Sequence, residues 1–211
     1  MTVSLTSLKQ SLHAGLTAVA QGADPALIYH SNAQLWASHP FNQLQGLEAI
    51  RRVWSQLRYA LPDMQRRDQI FVAGNSKADA RMPDDLEGRV LVASMGHYQG
   101  SFVNDLCGIP ATHGVVNLRV CEVHHLVEGK IAQSYVMLDL LDLMGQAGCW
   151  PIAPSLGAEG MWSGPATNDG VRLHTSEPSG GQTAFDTVIA MHNALGSFDG
   201  KSLDSMQHGA Y

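Results

Sequence analysis

The sequence is poor in charged residues and in cysteine. Only 15% of its 211 residues are charged and the formal net charge is -6, so it lacks the basic face that a nucleic-acid partner requires. Its three cysteines, Cys107, Cys121 and Cys149, form no C-x-x-C pair and no even-numbered framework. We therefore expect reduced thiols and a cytoplasmic location, because disulfides persist mainly in oxidising compartments.

Long apolar runs are also missing. The N-terminal leucines recur at helical spacing but are interrupted by polar residues, and no run approaches the roughly 18 apolar residues of a membrane span. No signal-peptide core is evident at the N-terminus. These absences predict a soluble intracellular protein with no membrane partner.

The motifs of metal and nucleophilic chemistry are absent as well. Ten histidines are present, but no H-x-H or H-E-x-x-H spacing occurs, and adjacent His124 and His125 would point to opposite faces of a strand. There is no G-x-S-x-G elbow, and the glycine-rich stretch at 179–181 lacks the lysine of a phosphate loop. We predict no metal site.

The periodicity of apolar residues changes from helical to strand-like along the chain. Helices are predicted from Leu5 to Gly22, from Asp24 to about Leu35, and from about Leu47 to Leu61. Strands are predicted at Gln69–Ala73, Val90–Phe102, Val115–Val127 and Lys130–Leu141, with a long hairpin loop over Asn75–Arg89. Helices followed by a curved antiparallel sheet give an α+β domain spanning residues 1–149.

The composition changes after Cys149. Residues 150–182 are rich in proline and glycine, and we interpret them as a linker or a wrapping arm. Residues 183–211 then repeat the order found at the N-terminus, an apolar helix followed by a glycine, an aspartate and a second short helix. We interpret them as the first helices of an incomplete second domain; the alternative is a C-terminal helix that docks on the first domain.

Two polar residues interrupt the apolar row of the strand Val115–Val127. Val116, Leu118, Val120, Glu122, His124 and Leu126 share one face, because side chains alternate along a strand. Burying a carboxylate is costly unless it has a partner, so Glu122 beside His124 indicates a pocket. An apolar site would move the pKa of both groups toward neutrality, where proton transfer is most useful. The alternative is a structural hydrogen bond between Glu122 and His124 at the rim of the sheet.

Three segments together resemble the SnoaL-like polyketide cyclases, a family of the nuclear transport factor 2-like group. They are "H-P-F…L-Q-G-L-E-A-I…L-R-Y-A-L-P-D" from His39 to Asp63, "G-H-Y-Q-G-S-F…G-I-P-A-T-H-G" from Gly96 to Gly114, and the closing "E-V-H-H-L-V-E-G-K-I…L-D-L-M-G-Q-A-G" from Glu122 to Gly148. The resemblance covers about residues 5 to 149. Residues from about Thr183 look like the start of a second copy, as in tandem members.

The resemblance implies a conical α+β barrel in which three N-terminal helices pack on a strongly curved, mostly antiparallel sheet. It implies a deep apolar pocket and acid–base chemistry on a small apolar carbonyl compound without a cofactor. The family's usual catalytic aspartate aligns with Val136, which cannot carry a proton. Glu122 matches the neighbouring acid, while Asp139 either substitutes in a shifted register or caps the following helical turn.

The resemblance also suggests which residues surround the substrate. Glu122 would act as base or orienter and His124 as proton donor or oxyanion partner. His39 would lie near the mouth of the cone, and one of His97 and Tyr98 must face inward. Trp36, Tyr135 and Val136 are expected in the walls of the pocket.

Two classes of function follow from these observations. The first is a cofactor-independent cyclase, isomerase or hydrolase that uses Glu122, His124 and Asp139. The second is a non-catalytic module that binds a small ligand or dimerises, and Val136 favours it. In either case the resemblance implies a homodimer formed through the face of the sheet.

Overall fold

The computed structural model describes residues 4–76, 88–154, 156–157, 167, 169–174, 178–202 and 205. The chain divides into two compact units, Met1–Leu173 and His174–Tyr211. Most of the predicted loop between Asn75 and Arg89 lies outside the described residues. The predicted second domain remains a prediction.

The first unit consists of helices packed on one mixed sheet. Its helices are α1 (Leu5–Ala20), α2 (Leu47–Ala60) and α3 (Leu140–Gln146), with a 3₁₀ turn at Pro25–Leu27. Its strands are β1 (Tyr29–Ala37), β2 (Gln43–Gln45), β3 (Gln65–Asn75), β4 (Val90–Ser101), β5 (Val115–Val127) and β6 (Lys130–Leu138). The strand order is β2-β1-β6-β5-β4-β3, in which only β1 and β6 run parallel. The predicted α+β class is confirmed, and the sheet is curved but not closed.

The sheet has an inner face, which contacts α1 and α2, and an outer face, where Arg119 of β5 contacts Asp142 of α3. Along β5 the even-numbered residues are buried, and the odd-numbered ones are exposed or half-buried. The same alternation holds in β4, because the register pairs even with even, as in Tyr98 with Leu118. Aliphatic and aromatic residues of the inner face form the core with α1 and α2. The inner face is therefore where burial energy is gained.

The two long helices present their apolar sides to the inner face. Helix α1 begins at Ser4, whose hydroxyl accepts a hydrogen bond from the amide of Ser7. Leu12, Leu16 and Val19 are its buried residues at helical spacing. Helix α2 begins after Gly46 and buries Ile50, Val53, Trp54 and Leu57. Both helices follow the predicted apolar stripes.

The predicted second helix is wrong beyond its first turn. Asp24 does cap a helical turn, by accepting a hydrogen bond from Ala26, but the turn ends at Leu27. Residues from Tyr29 to Ala37 form β1, which pairs with both β2 and β6. Pairing on both sides satisfies the backbone polar groups of this segment, whereas a helix would have to satisfy them internally. Tertiary pairing thus decides its conformation, and part of the predicted loop before Gly46 is β2.

Residues near the end of the first unit lie along the edge of the sheet. Strand β3 pairs only with β4, and the amide of Phe71 on its free side donates to the carbonyl of Gly170 at 2.8 Å. The side-chain amide of Gln10 donates to the carbonyl of Leu173 at 2.9 Å. These contacts anchor residues 170–173 to the first unit and shield part of an exposed strand edge.

The second unit contains α4 (Pro178–Gly196). After α4 the carboxylate of Asp199 accepts hydrogen bonds from the amides of Lys201 and Ser202. Asp24 plays the same capping role after α1. No helix in the described part of the chain combines the length and apolar character needed to cross a membrane.

Candidate functional site

A buried carboxylate lies on the inner face of β5, at Glu122. The residue is 3% exposed. Its Oε1 accepts a hydrogen bond from the Tyr98 hydroxyl at 2.7 Å, and its Oε2 accepts one from the Ser94 hydroxyl at 2.9 Å. Nη2 of Arg66 lies 2.6 Å from the same Oε2. Both oxygens of Glu122 are therefore engaged by side chains of β3 and β4.

Arg66 connects this carboxylate to a second one. Its guanidinium contacts Asp68 through Nε at 2.9 Å and Nη2 at 2.8 Å, and its Nη2 also donates to Ser94 at 2.8 Å. Asp68 in turn lies 3.2 Å from Nε2 of His13 on α1. The inner face thus carries a line of ionisable side chains running from α1 to β5, which we call the Arg66 cluster: His13, Asp68, Arg66, Glu122 and His124.

The cluster keeps Glu122 ionised. Burial by itself would raise the pKa of Glu122, but the positive charge of Arg66 and the contacts with His124 and Arg66 outweigh burial and hold the pKa well below its usual value. This differs from the expectation that an apolar site moves the pKa of Glu122 toward neutrality. The difference arises because Arg66 on β3 reaches the carboxylate of Glu122 on β5 across the intervening strand β4. An ionised, fully bonded carboxylate is a weak proton acceptor at neutral pH.

His124 is the next inward residue on β5 and is completely buried. Its Nδ1 lies 2.8 Å from the Ser134 hydroxyl, and its Nε2 lies 3.6 Å from Oε2 of Glu122. Within the described residues Nε2 has no hydrogen-bond partner. The predicted neighbours Glu122 and His124 are in contact, and Ser134 on β6 fixes the imidazole.

A small cavity of about 20 Å³ lies between this cluster and α2. Its polar wall consists of Glu122, Tyr98 and Tyr29, and Val136 and Trp54 contribute to its apolar wall. Val136 occupies the position directly opposite Glu122 in the register of β5 and β6. The side chains of the protein itself therefore fill most of the interior of the cone.

The two tyrosines of this cavity are held in their neutral form. Burial, followed by the charge of Glu122, raises the pKa of Tyr29 to about 12. The same two causes raise the pKa of Tyr98 well above its ordinary value. A raised tyrosine pKa stabilises the fold below the pKa of the unfolded chain, and that stabilisation is lost as the pH rises through the folded pKa.

This shift predicts that the fold weakens between pH 10 and about 12. The contribution of Tyr29 over that window is roughly 3 kcal/mol, because one pKa unit corresponds to about 1.4 kcal/mol. Tyr29→Phe should lose less stability over the same window in urea unfolding experiments, although Tyr98 keeps part of the effect. The exposed Tyr59→Phe is the matched control. Parallel pH profiles for Tyr29→Phe and the parent chain would contradict this assignment.

A larger groove of about 540 Å³ lies on the outer face of the sheet. Trp36 and Tyr135, which are neighbours in the register of β1 and β6, stack with ring centroids 4.9 Å apart. Met95, Cys121 and Met137 continue the groove across β4, β5 and β6. Tyr135 is 52% exposed and Met137 is 67% exposed. This mostly apolar groove lies mainly on the face opposite the Arg66 cluster, although Ser94 and Glu122 also line it.

The structure divides the sequence-predicted site residues between several places. Glu122, His124, Tyr98 and Val136 lie on the inner face, and Trp36, His97 and Tyr135 lie on the outer face. His39 is exposed in the loop after β1. Asp139 caps α3 by accepting a hydrogen bond from the amide of Asp142, which is the second of its two predicted roles. The predicted residues do not form a single pocket.

Sequence reasoning missed four residues of the interior: Arg66, Asp68, Ser94 and Tyr29. Ser94 and Arg66 face inward by strand alternation, but nothing in the sequence indicates that they meet Glu122. The two adjacent arginines have opposite environments, because the structure buries Arg66 and exposes Arg67. Within the described part of the chain, no group of three histidine, cysteine, aspartate or glutamate residues could hold a metal ion.

Among known proteins, solved structures match this chain, and they match it in fold. No family model matches the sequence, and no curated protein matches it. The solved structure of IdmH, a candidate polyketide cyclase from Streptomyces antibioticus, matches with a TM-score of 0.51 at 17% identity, over 66% of this chain and 98% of that one. A candidate polyketide cyclase from Pseudomonas putida KT2440 matches with a TM-score of 0.50 at 16% identity, over 69% of this chain and 98% of that one. TsrD from Streptomyces laurentii matches with a TM-score of 0.51 at 19% identity, over 68% of this chain and 96% of that one.

At these identities the matches establish a shared fold. The chain shares the α+β fold of these solved structures, two of which are candidate polyketide cyclases, as the sequence resemblance predicted. The same fold supports different activities, so function has to be argued from the residues of the site.

Proposed function

We propose that this chain is a non-catalytic module of the SnoaL-like fold that assembles as a homodimer through the outer face of its sheet. The observation that carries the proposal is the open apolar groove across the five strands β1, β6, β5, β4 and β3. Its aromatic stack and exposed methionine are unusual for a surface that faces water. The three free thiols fit a reducing compartment such as the cytoplasm.

The interior supports the non-catalytic part of the proposal. Each oxygen of Glu122 already accepts a hydrogen bond, and Arg66 depresses the pKa of this group. The cavity beside it, about 20 Å³, is close to the roughly 10 to 15 Å³ that a single water needs. Val136 at the expected aspartate position cannot transfer a proton. A buried, fully bonded ion pair of this kind specifies packing rather than reactivity.

The most suitable partner for the groove is a second copy of the same chain. A two-fold interface is self-complementary, so it favours a patch whose centre carries no charge. Here the centre consists of Met95, Cys121 and Met137, while the charged Arg119 and Arg67 lie nearer the ends of their strands. A partner with a charged contact surface would have to bury that charge against apolar side chains.

Sedimentation equilibrium tests this proposal on the full chain. We expect a species of twice the 22.7 kDa chain mass at micromolar concentration. A single species of the chain mass at all accessible concentrations would exclude the homodimer.

The second candidate function is a cofactor-independent cyclase, isomerase or hydrolase acting on a small apolar carbonyl compound. The observation that favours it is the convergence of Glu122, Tyr98 and Tyr29 on one cavity beside Val136. In that case Tyr98 would donate a hydrogen bond to a developing oxyanion, with His124 as the proton carrier and Glu122 as its orienter. The cavity would have to expand severalfold, because drug-sized ligands occupy roughly 300 to 1,000 Å³. Saturable binding of such a compound that is lost in Tyr98→Phe would favour this candidate.

A further inference from the structure

A separate pocket of about 220 Å³ lies on the helical side of the first unit, away from both the Arg66 cluster and the outer groove. It is formed where the turn at Gly22–Pro25 meets the exposed side of α2. Its lining residues come from α2 (Arg51, Trp54, Ser55 and Arg58) and from the turn (Gly22, Ala23, Asp24 and Pro25).

The two arginines of this pocket differ in their partners. Arg51 donates to both carboxylate oxygens of Asp24, at 2.9 and 2.7 Å, and also contacts Glu48. Arg58, two turns further along α2, makes no hydrogen bond or ion pair with any described residue, and its Nε is buried without a partner. An unpaired buried donor is unfavourable, so Arg58 is the group that requires an explanation.

The position of Arg58 is fixed by the turn that it contacts. A Cβ atom at Gly22 would lie 2.6 Å from Nη1 of Arg58, so the guanidinium lies close to this turn. The φ of Gly22 is +113°, which favours glycine. Arg58 therefore lines the pocket beside the turn at Gly22.

We propose that this pocket binds the carboxylate of a small organic acid, with Arg58 as its main contact. The planar guanidinium matches a carboxylate through two parallel hydrogen bonds. Ser55 lies three residues earlier on α2, which places it on the same side of the helix as a further donor. Trp54 and Pro25 provide apolar surface for a short hydrocarbon tail. Asp24 and Glu48 are close by and disfavour a dianion such as phosphate, because like charges repel.

The proposal is tested by titrating the ¹⁵N-labelled full chain with butyrate, acetate and inorganic phosphate. Butyrate should give saturable shifts at the amides of Gly22 and Ala23 and at the side-chain Nε of Arg58. Its affinity should exceed that of acetate, which lacks the tail, and that of phosphate. Phosphate binding as tight as butyrate would overturn the assignment of the ligand class.

Variants decide whether Arg58 carries the binding. Arg58→Gln should weaken butyrate at least about tenfold, the loss expected for a charged hydrogen-bonded pair. Arg58→Lys keeps the positive charge but cannot form two parallel hydrogen bonds, so it should weaken butyrate binding by a smaller factor. The matched control is Arg52→Gln, an exposed arginine of the same helix that does not line the pocket. Equal butyrate affinity in Arg58→Gln and the parent chain, or no saturable shift in the parent chain, would overturn the proposal. Thermal unfolding of each variant shows that a lost affinity is not a lost fold.

Discussion

Arg66→Met should destabilise the first unit by roughly 3 to 5 kcal/mol, the cost expected when one partner of a buried ion pair is removed. The substitution leaves two nearly buried carboxylates, those of Glu122 and Asp68, facing each other without the cation that both contact. A domain of this size would lose roughly 10 °C of melting temperature, at about 2 to 4 °C per kcal/mol. Urea unfolding of the parent and variant chains measures the difference.

The neighbouring Arg67→Met is the matched control, because Arg67 is exposed on the same strand. It should change the free energy of unfolding by less than about 0.5 kcal/mol, as is usual for surface substitutions. The effect of Arg66→Met should also shrink in acid. A depressed carboxyl pKa gives stability that is present above the unfolded pKa of 4.5 and lost as the pH falls toward the folded value. Similar destabilisation by both variants would show that Arg66 acts through its hydrophobic stem alone.

Met137→Glu should convert the proposed homodimer to monomers. Met137 is the most exposed residue of the groove and lies beside Cys121 in the register of β5 and β6. A two-fold interface would bring two copies of the new carboxylate into one apolar contact, where each charge is costly to desolvate. We expect the dissociation constant to rise by at least about a hundredfold, since interface anchors contribute roughly 2 kcal/mol or more each. Sedimentation across a concentration series measures it.

Tyr59→Glu provides the control for this variant. Tyr59 is 65% exposed, but it lies on α2, which packs on the inner face of the sheet. It should leave the dissociation constant unchanged. If Tyr59→Glu dissociated the dimer and Met137→Glu did not, the interface would be on the helical side of the molecule.

The alternating residues of β5 show how far the sequence alone leads. The periodicity of Val115–Val127 identified the strand, its two faces and the adjacent inward pair of Glu122 and His124. Period-two alternation is a local property, so it can be read without knowing the fold. The resemblance supplied the cone fold, because the order of its motifs follows the order of elements.

The chemistry of Glu122 could not be obtained in the same way. Its pKa depends on Arg66, which is 56 positions earlier in the sequence and reaches it only after β3, β4 and β5 have paired. A contact of this kind is set by register, and a shift between Asp68 and Ile70 in β3 decides which residues of that strand face inward. A lone glutamate in an apolar row predicts a raised carboxyl pKa. The positive charge of Arg66 reverses the direction of that shift, so the pKa of Glu122 is lowered.

The sequence also could not predict which face of the sheet each aromatic residue occupies. Tyr98 points into the cone, while Tyr135 and Trp36 line the outer groove. Resemblance to a pocket-bearing family favoured placing all of them around one cavity. Side chains alternate between the two faces of β6, so Tyr135 points to the opposite face from Ser134 and Val136. The stacked rings of Tyr135 and Trp36 therefore belong to the proposed assembly surface.

We propose that the Arg66 cluster stabilises the fold and does not catalyse a reaction. Glu122→Gln tests this proposal most directly, because the change removes one charge and keeps the shape of the side chain. We expect Glu122→Gln to lower the free energy of unfolding by roughly 3 kcal/mol at neutral pH, since it leaves the guanidinium of Arg66 with a single carboxylate partner. If Glu122→Gln unfolded with the same free energy as the parent chain but no longer bound a small carbonyl compound, the structural role would be contradicted. Glu122 would then be a residue of an active site.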